Sequence, residues 1–316
     1  MRNALGAYLG NSLEVAVLME SLAKTVVRSS YAPASGILVT LWLCGAALGA
    51  DSDPTSASKS DLPNVYLDLR TIYTSLPANT LSIGFSSPPL LAILSTIGAR
   101  TSFSSPPLQG RSIDVPLTID LNDRISMYGG FSASSSKAGA ESWTTLTVSS
   151  WNIGAEVDAY QQNGGNIPTL TIQSTLTRSI PDAPLATTTL NTIVEANYAL
   201  NEDETRGWLA GIQYTNITVD TALARVNPNV IGYLGGYHQW DNNWKLTGRV
   251  GLQSFGGGDL LNQTVLRPFT QPVIRLDLDY NDDDDNRLFG VMAQIAWTPK
   301  PAYQLILRTP LYLHKN

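Results

Sequence analysis

From residue 113 onward the sequence repeats with a period of two, and that period admits one kind of secondary structure. Ile113, Val115, Leu117, Ile119 and Leu121 alternate with Asp114, Pro116, Thr118 and Asp120. Successive side chains of an extended strand point to opposite faces, so unbroken alternation describes a strand with one apolar and one polar side. After Asn122-Asp123 the pattern resumes with Ile125, Met127, Gly129, Phe131 and Ala133. It returns at Trp151–Ala159, Leu170–Leu176, Val194–Leu200 and Trp208–Tyr214, and around the turns at 241–243, 281–286 and 299–301. We count about eleven strands from residue 113, and one more at Val65–Arg70. The chain is read as all-β, with about twelve strands.

Connections alternate in length. Residues 122–123, 161–166, 201–205, 241–243 and 281–286 read as tight turns, and 134–142, 180–186, 220–228 and 256–270 as longer loops. Alternation of this kind marks antiparallel strands running up and down, with short turns on the periplasmic side and long loops outside. An even strand number returns both ends of the sheet to the side of the turns. Charged residues make up only 15% of the 316 residues, against roughly 25% in a soluble domain. Their place is taken by Ser, Thr, Asn, Gln and Gly. A mean hydropathy of -0.02 excludes a bundle of membrane-spanning helices. The net charge of -6 argues against nucleic acid as a partner, since phosphate binding needs clustered Lys and Arg.

The N-terminal part has a different character. Ile37–Ala47 reads ILVTLWLCGAA, preceded by Lys24 and Arg28 and followed by Leu48-Gly49-Ala50. A basic flank, a short apolar core and a small-residue exit are the parts of a secretory signal, and the run is too short to span a bilayer. Residues 1–50 are therefore expected to be an export signal, with Met19 as an alternative start, and 51–63 a flexible leader. Cys44, the single cysteine, falls inside that segment, so the exported chain would carry no thiol. The barrel is expected over 64–316, with 86–112 as a loop or short helix. There Ser87-Pro88-Pro89 precedes Leu90, Leu91, Leu94 and Ile97 at helical spacing.

A soluble sandwich also alternates. Export, low charge, absence of Cys and the placing of the aromatics together favour a sheet closed in a membrane, where every backbone donor and acceptor must pair internally. Trp143, Tyr198, Trp208, Tyr237, Trp240, Trp244, Tyr280, Phe289 and Trp297 fall at or near strand ends, as interfacial rings do. The runs DVPLTIDLNDRISMYGGFSASSS (114–136) and TTTLNTIVEANYALNEDETRGWLAGIQYTN (187–216) resemble hairpins of the outer-membrane barrel family linked to the meta-pathway of phenol degradation. The resemblance extends in rhythm over 113–313 and implies a porin-like barrel in the outer membrane of a Gram-negative cell, inserted by the barrel-assembly machinery. It also implies a last strand closing in Phe or Trp, whereas this chain closes with Tyr312, Leu313, His314, Lys315 and Asn316.

Strand parity assigns Asp114, Asp120, Glu156, Asp158 and Glu195 to the lumen from the first half of the barrel. Lys245, Arg249, Arg275 and Arg308 face inward from the second half, with Asp277 and Asp279 among them. Acid then faces base across the interior, the field with which porins orient polar solutes. Gly211, Gly232, Gly236 and Gly251 are expected inward, leaving room. A passive pore or uptake channel for small solutes follows, with outer-membrane lipid around it. The alternatives are a structural or adhesion barrel with a filled lumen, and an exported soluble β-protein binding carbohydrate or lipid. No catalytic, cofactor or metal residues are assigned. His238 lacks a Ser at a His-x-Ser spacing, and Asp282–Asp285 lacks the Gly and distant Glu of a calcium loop.

Overall fold

A computed structural model describes residues 64–78, 106–180, 186–260, 263–282, 286–297 and 300–314. The export segment, the leader and the helix expected over 87–97 lie outside the described residues. Fifteen strands are present among them. In chain order they are β1 (Asn64–Leu76), β2 (Leu108–Asn122), β3 (Ile125–Ala138), β4 (Thr147–Tyr160), β5 (Thr169–Ser179), β6 (Thr187–Ala199), β7 (Arg206–Val219) and β8 (Ala224–Val226). They continue as β9 (Asn229–Gln239), β10 (Trp244–Phe255), β11 (Gly258–Leu260), β12 (Gln263–Leu266), β13 (Phe269–Asn281), β14 (Arg287–Trp297) and β15 (Pro301–His314).

Twelve of these close into one antiparallel barrel in the order β1-β15-β14-β13-β10-β9-β7-β6-β5-β4-β3-β2. The seam is β1 against β15, from Val65 opposite His314 to Ser75 opposite Tyr303. Closure leaves no sheet edge, which is what a bilayer demands of a strand protein. A sandwich of two stacked sheets with the oily residues between them is thereby overturned. The strands are staggered. One row of opposed residues leaves Asn64, the first residue of β1, and runs through Asp120, Ser126, Glu156, Gln173, Ile193, Gln213 and Ile231 to Gln253 and Gln271. It begins at the turn end of the wall and finishes at the loop end, so the strands tilt steeply against the barrel axis.

The face opposite to that row is apolar and exposed. Leu117, Phe131, Ile212, Leu234, Val250 and Leu305 project from it, and Leu234 is 69% exposed. In water such a belt would be a liability, whereas against acyl chains it is the solvated surface. Aromatics gather toward the turn end of this belt, with Tyr198 stacked on Trp208 at 5.5 Å and Trp244 tilted against Tyr280 at 5.1 Å. Two expectations need correction. Tyr237 pairs with Thr247 and Gly207 in the inward register, and its ring lies inside under Lys245. Trp143 sits in the β3–β4 loop, where the Arg111 guanidinium lies 4.8 Å from its ring centroid.

The boundary expected at 113 also moves. β2 begins at Leu108, so 108–112 is strand and not loop, and β3 continues to Ala138. Above the bilayer the outer face has no need to be apolar. Gln109 and Arg111 therefore break the alternation without ending the pairing to Lys137 and Ser135. Loops 220–228 and 256–268 are shaped by a small sheet, β12-β11-β8, with Asp259 opposite Arg225. On the turn side Asn122 Oδ1 accepts from the Arg124 N–H at 2.8 Å. Asn163 (φ 44°), Gly164 (φ 73°) and Asn243 (φ 66°) take the left-handed conformation that tight reversals need.

Candidate functional site

Arg249 on β10 donates to Glu195 on β6, with Nε–Oε2 3.2 Å and Nη2–Oε1 3.3 Å. β7 and β9 stand between those strands, so the side chains meet across the concave face. Register then places Lys245, Arg275, Asp277, Asp279 and Arg308 on the same inner face of β10, β13 and β15. Asp114, Asp120, Glu156 and Asp158 occupy it on β2 and β4.

The basic half of the interior is tied together by Asp277, whose side chain is 4% exposed. It accepts from Arg275 at 2.7 and 2.9 Å, from Arg249 at 3.2 Å and from Arg308. Three guanidinium groups around one carboxylate hold one another in place by charge-assisted hydrogen bonds. Next to this group Arg287 on β14 reaches over β15 to Asp68 on β1, at 2.9 Å. Arg70 stands opposite both Asp114 and Arg308. Asp68, Arg70 and Arg287 were not among the residues expected in the lumen. The first two lie in the alternating run Val65–Arg70 and could have been assigned by parity. Arg287 follows an irregularity in the β13–β14 pairing, which upsets parity counting.

The acidic half is different. Asp120 accepts from Ser126 Oγ at 2.6 Å, and Asp158 accepts from Thr171 Oγ1 at 2.7 Å and from Gln161 Nε2 at 3.4 Å. The charges that act on Glu156 are those of Asp158, Glu195 and Asp120. Asp120 and Asp158 are held by hydroxyls and an amide, whereas Asp277 and Glu195 across the lumen are bridged by arginines. Toward the loop end the same wall continues in hydroxyls, with Ser112, Ser134, Ser136, Thr144, Thr147 and Thr74 lining a cavity of about 140 Å³.

The remaining inner wall is closely packed. Gln213, Gln253, Gln271, Gln294 and Gln304 form a buried amide layer, with Gln271 Nε2 donating to Gln253 Oε1 at 2.5 Å and Gln213 Nε2 to Asn191 Oδ1 at 2.7 Å. Ile231, Val273, Ala296 and Ala302 are buried beside it. The glycines do not leave the room expected of them. Gly232 and Gly236 lie on the outer face, in register with Leu252 and Gly248. Gly211 is inward, but a Cβ there would stand 2.4 Å from the Tyr233 ring, and one on Gly154 2.4 Å from Tyr128. Each tyrosine lies across the glycine of the next strand and bonds one strand further on, Tyr233 Oη to Glu195 at 2.8 Å and Tyr128 Oη to Thr175 at 2.6 Å. A second cavity, about 290 Å³, opens at the turn end beside Asp158, Asn197, Glu204 and Tyr237. His238 is on the outer face, edge-on to Trp240 at 4.9 Å.

No protein-family model and no curated protein matches this chain in sequence. Solved structures match in fold. The COG4313 outer membrane channel from Pseudomonas putida F1 is 11% identical, with a TM-score of 0.51 over 84% of this chain and 100% of that one. The translocator domain of the autotransporter NalP from Neisseria meningitidis is 13% identical, with a TM-score of 0.43 over 86% of this chain and 96% of that one. The transport unit of the autotransporter AIDA-I from Escherichia coli is 12% identical, with a TM-score of 0.43 over 88% and 98%. The first matches the barrel described above in fold over its whole length. This protein has the fold of the outer-membrane β-barrels. Its apolar belt faces the lipid, and its ionised and amide side chains turn away from it.

Proposed function

We propose that the barrel is a narrow passive channel for small polar solutes, and that its path favours cations. The observation that carries this reading is the unequal pairing of the two walls. Across the lumen Arg249, Arg275, Arg287 and Arg308 are already bridged by Glu195, Asp277 and Asp68. On β2 and β4 the carboxylates of Asp120, Glu156 and Asp158 meet hydroxyls, amides and one another, and they outnumber Lys245, whose ammonium lies over the Tyr237 ring, so the charge left facing a solute is negative. Rings of uncompensated carboxylates select cations by this means. The stretch above them, lined by hydroxyls and by Arg111, gives a polar approach from the loop end. The solved barrel of like fold bears the description of a channel, which agrees with this reading.

Purified protein in planar bilayers should conduct, and a potassium chloride gradient should give a reversal potential of cation-selective sign. Combined Glu156→Gln and Asp158→Asn substitution should move that potential toward zero. Absence of conductance from folded, heat-modifiable protein would refute the channel. A second reading has its own support in the buried amide layer: a barrel with a filled lumen that acts through its outer loops. In that case Arg249→Ala with Arg275→Ala would lower stability and leave permeability unchanged.

A further inference from the structure

Two basic side chains meet on the outside of the barrel at its turn end. Arg206, the first residue of β7, stands directly opposite His238 of β9. They share the outward parity of Trp208 and Leu234, and both are exposed. Residues opposed across an antiparallel pair hold their Cβ atoms about 4.5–5.5 Å apart, so the guanidinium and the imidazole reach one small group between them. The imidazole is oriented by Trp240, whose ring lies edge-on to it at 4.9 Å. Trp208 stands two residues from Arg206 toward the belt, stacked on Tyr198 at 5.5 Å. Rings of this kind settle at the level of the lipid headgroups, and the basic pair is set among them.

Neither side chain is committed within the barrel. Among the described residues no carboxylate bonds the Arg206 guanidinium and no hydrogen bond engages the His238 imidazole. Acids stand near by in sequence. Glu204 turns the other way, into the turn-end cavity beside Tyr237. Glu202, Asp203 and Asp241 are exposed in their turns, farther from the belt than the pair. An unpaired basic couple at headgroup depth, on a chain of net charge -6, complements an anionic headgroup. Toward the belt, the next opposed row reads Trp208, Gly236, Gly248 and Leu276. Two neighbouring strands there present bare backbone to the lipid between two large side chains. With strands about 4.8 Å apart, that gap has room for an extended hydrocarbon chain. A Cβ on Gly248 would meet Leu276 Cδ2 at 3.5 Å, an ordinary contact, so the packing of the wall does not itself require glycine there.

We propose that the outer face of β7 and β9 at the turn end binds an anionic phospholipid of the periplasmic leaflet. The phosphate lies between Arg206 and His238. The guanidinium fork donates to both free phosphate oxygens, and the imidazole N–H shares one of them. Trp208 and Trp240 flank the headgroup, and one acyl chain follows Gly236 and Gly248 into the belt. A headgroup without an ammonium of its own leaves the phosphate charge whole, which favours phosphatidylglycerol over a zwitterionic lipid. The site is on the lipid side of the wall, so it stands or falls independently of what the lumen conducts.

The test is native mass spectrometry of the full chain, folded in an uncharged detergent and supplied with phosphatidylglycerol. Phosphatidylcholine of the same acyl chains is the control. Retention of phosphatidylglycerol is expected at lipid concentrations where phosphatidylcholine is lost. Arg206→Gln combined with His238→Gln should weaken it about tenfold, the loss of a charge-assisted hydrogen bond. Arg124→Gln, which removes an exposed cation from the β2–β3 turn, should leave it unchanged. Gly248→Leu should weaken retention by filling the acyl gap. All variants are compared at the parent's heat-modifiable migration, which reports a folded barrel. Equal retention of the two lipids, parental retention in the doubly substituted protein, or an equal loss in Arg124→Gln protein would overturn the site. Parental retention in Gly248→Leu protein would overturn the course of the acyl chain.

Discussion

Asp277→Asn is the substitution that most directly probes the interior. The side chain keeps its shape and loses its charge, so Arg249, Arg275 and Arg308 lose the carboxylate that all three address. Removing one partner of a buried ion pair costs about 3–5 kcal/mol, because the other charge stays buried without compensation. Here the three arginine side chains keep 17%, 21% and 12% of their exposure, so water screens part of the loss. Arg249 also retains Glu195. These features place the cost at the lower end, ~3 kcal/mol. Asp279→Asn is the control: its contacts to Arg308 and Arg287 are 3.8 and 3.9 Å, and its loss should cost under ~1 kcal/mol. Urea unfolding of both variants, refolded in the same micelles and followed by tryptophan fluorescence, measures the difference. If Asp277→Asn unfolds within about 0.5 kcal/mol of the parent, as a neutral surface change would, the hub does not hold the wall together.

Three further outcomes follow from other parts of the barrel. Leu234→Arg, on the exposed outer face of β9, should lower folding stability in lipid vesicles by about 2–4 kcal/mol, the cost of a cation near the bilayer midplane. A change near zero would mean that this face does not meet acyl chains. Gly211→Val should drive Tyr233 off Glu195 and destabilise by about 1–3 kcal/mol through overpacking, read by the same urea titration. Arg178 binds Asp220 at the outer rim through both guanidinium nitrogens, with Nη1–Oδ1 2.6 Å. That hydrogen bond holds the Asp220 carboxyl below its ordinary range. A depressed folded pKa gives stabilisation that is complete above the unfolded value, roughly pH 4, and is lost as pH falls through the folded one. Proteolysis of the 220–228 loop should therefore rise only in strong acid, and Asp220→Asn should raise it at neutral pH and remove the dependence.

The sequence by itself determined the barrel. Side chains alternate along a strand whatever the strand packs against, so Ile113–Leu121 declared two faces and the acids fell on one of them. The same parity put Arg249 and Glu195 on the inner side, because pleating is local. What parity cannot carry is any relation across the wall. That Arg249 meets Glu195 depends on the stagger between β6 and β10, and three arginines converge on Asp277 only because strands from both sides of β14 are brought together. Irregular pairing hid Arg287, and strands that rise above the bilayer hid the start of β2. Glycine was the most misleading residue in one dimension. Gly211 reads as empty space, and the tertiary structure fills it with the Tyr233 ring from the neighbouring strand. Face is a property of the chain, and neighbours are a property of the closed sheet.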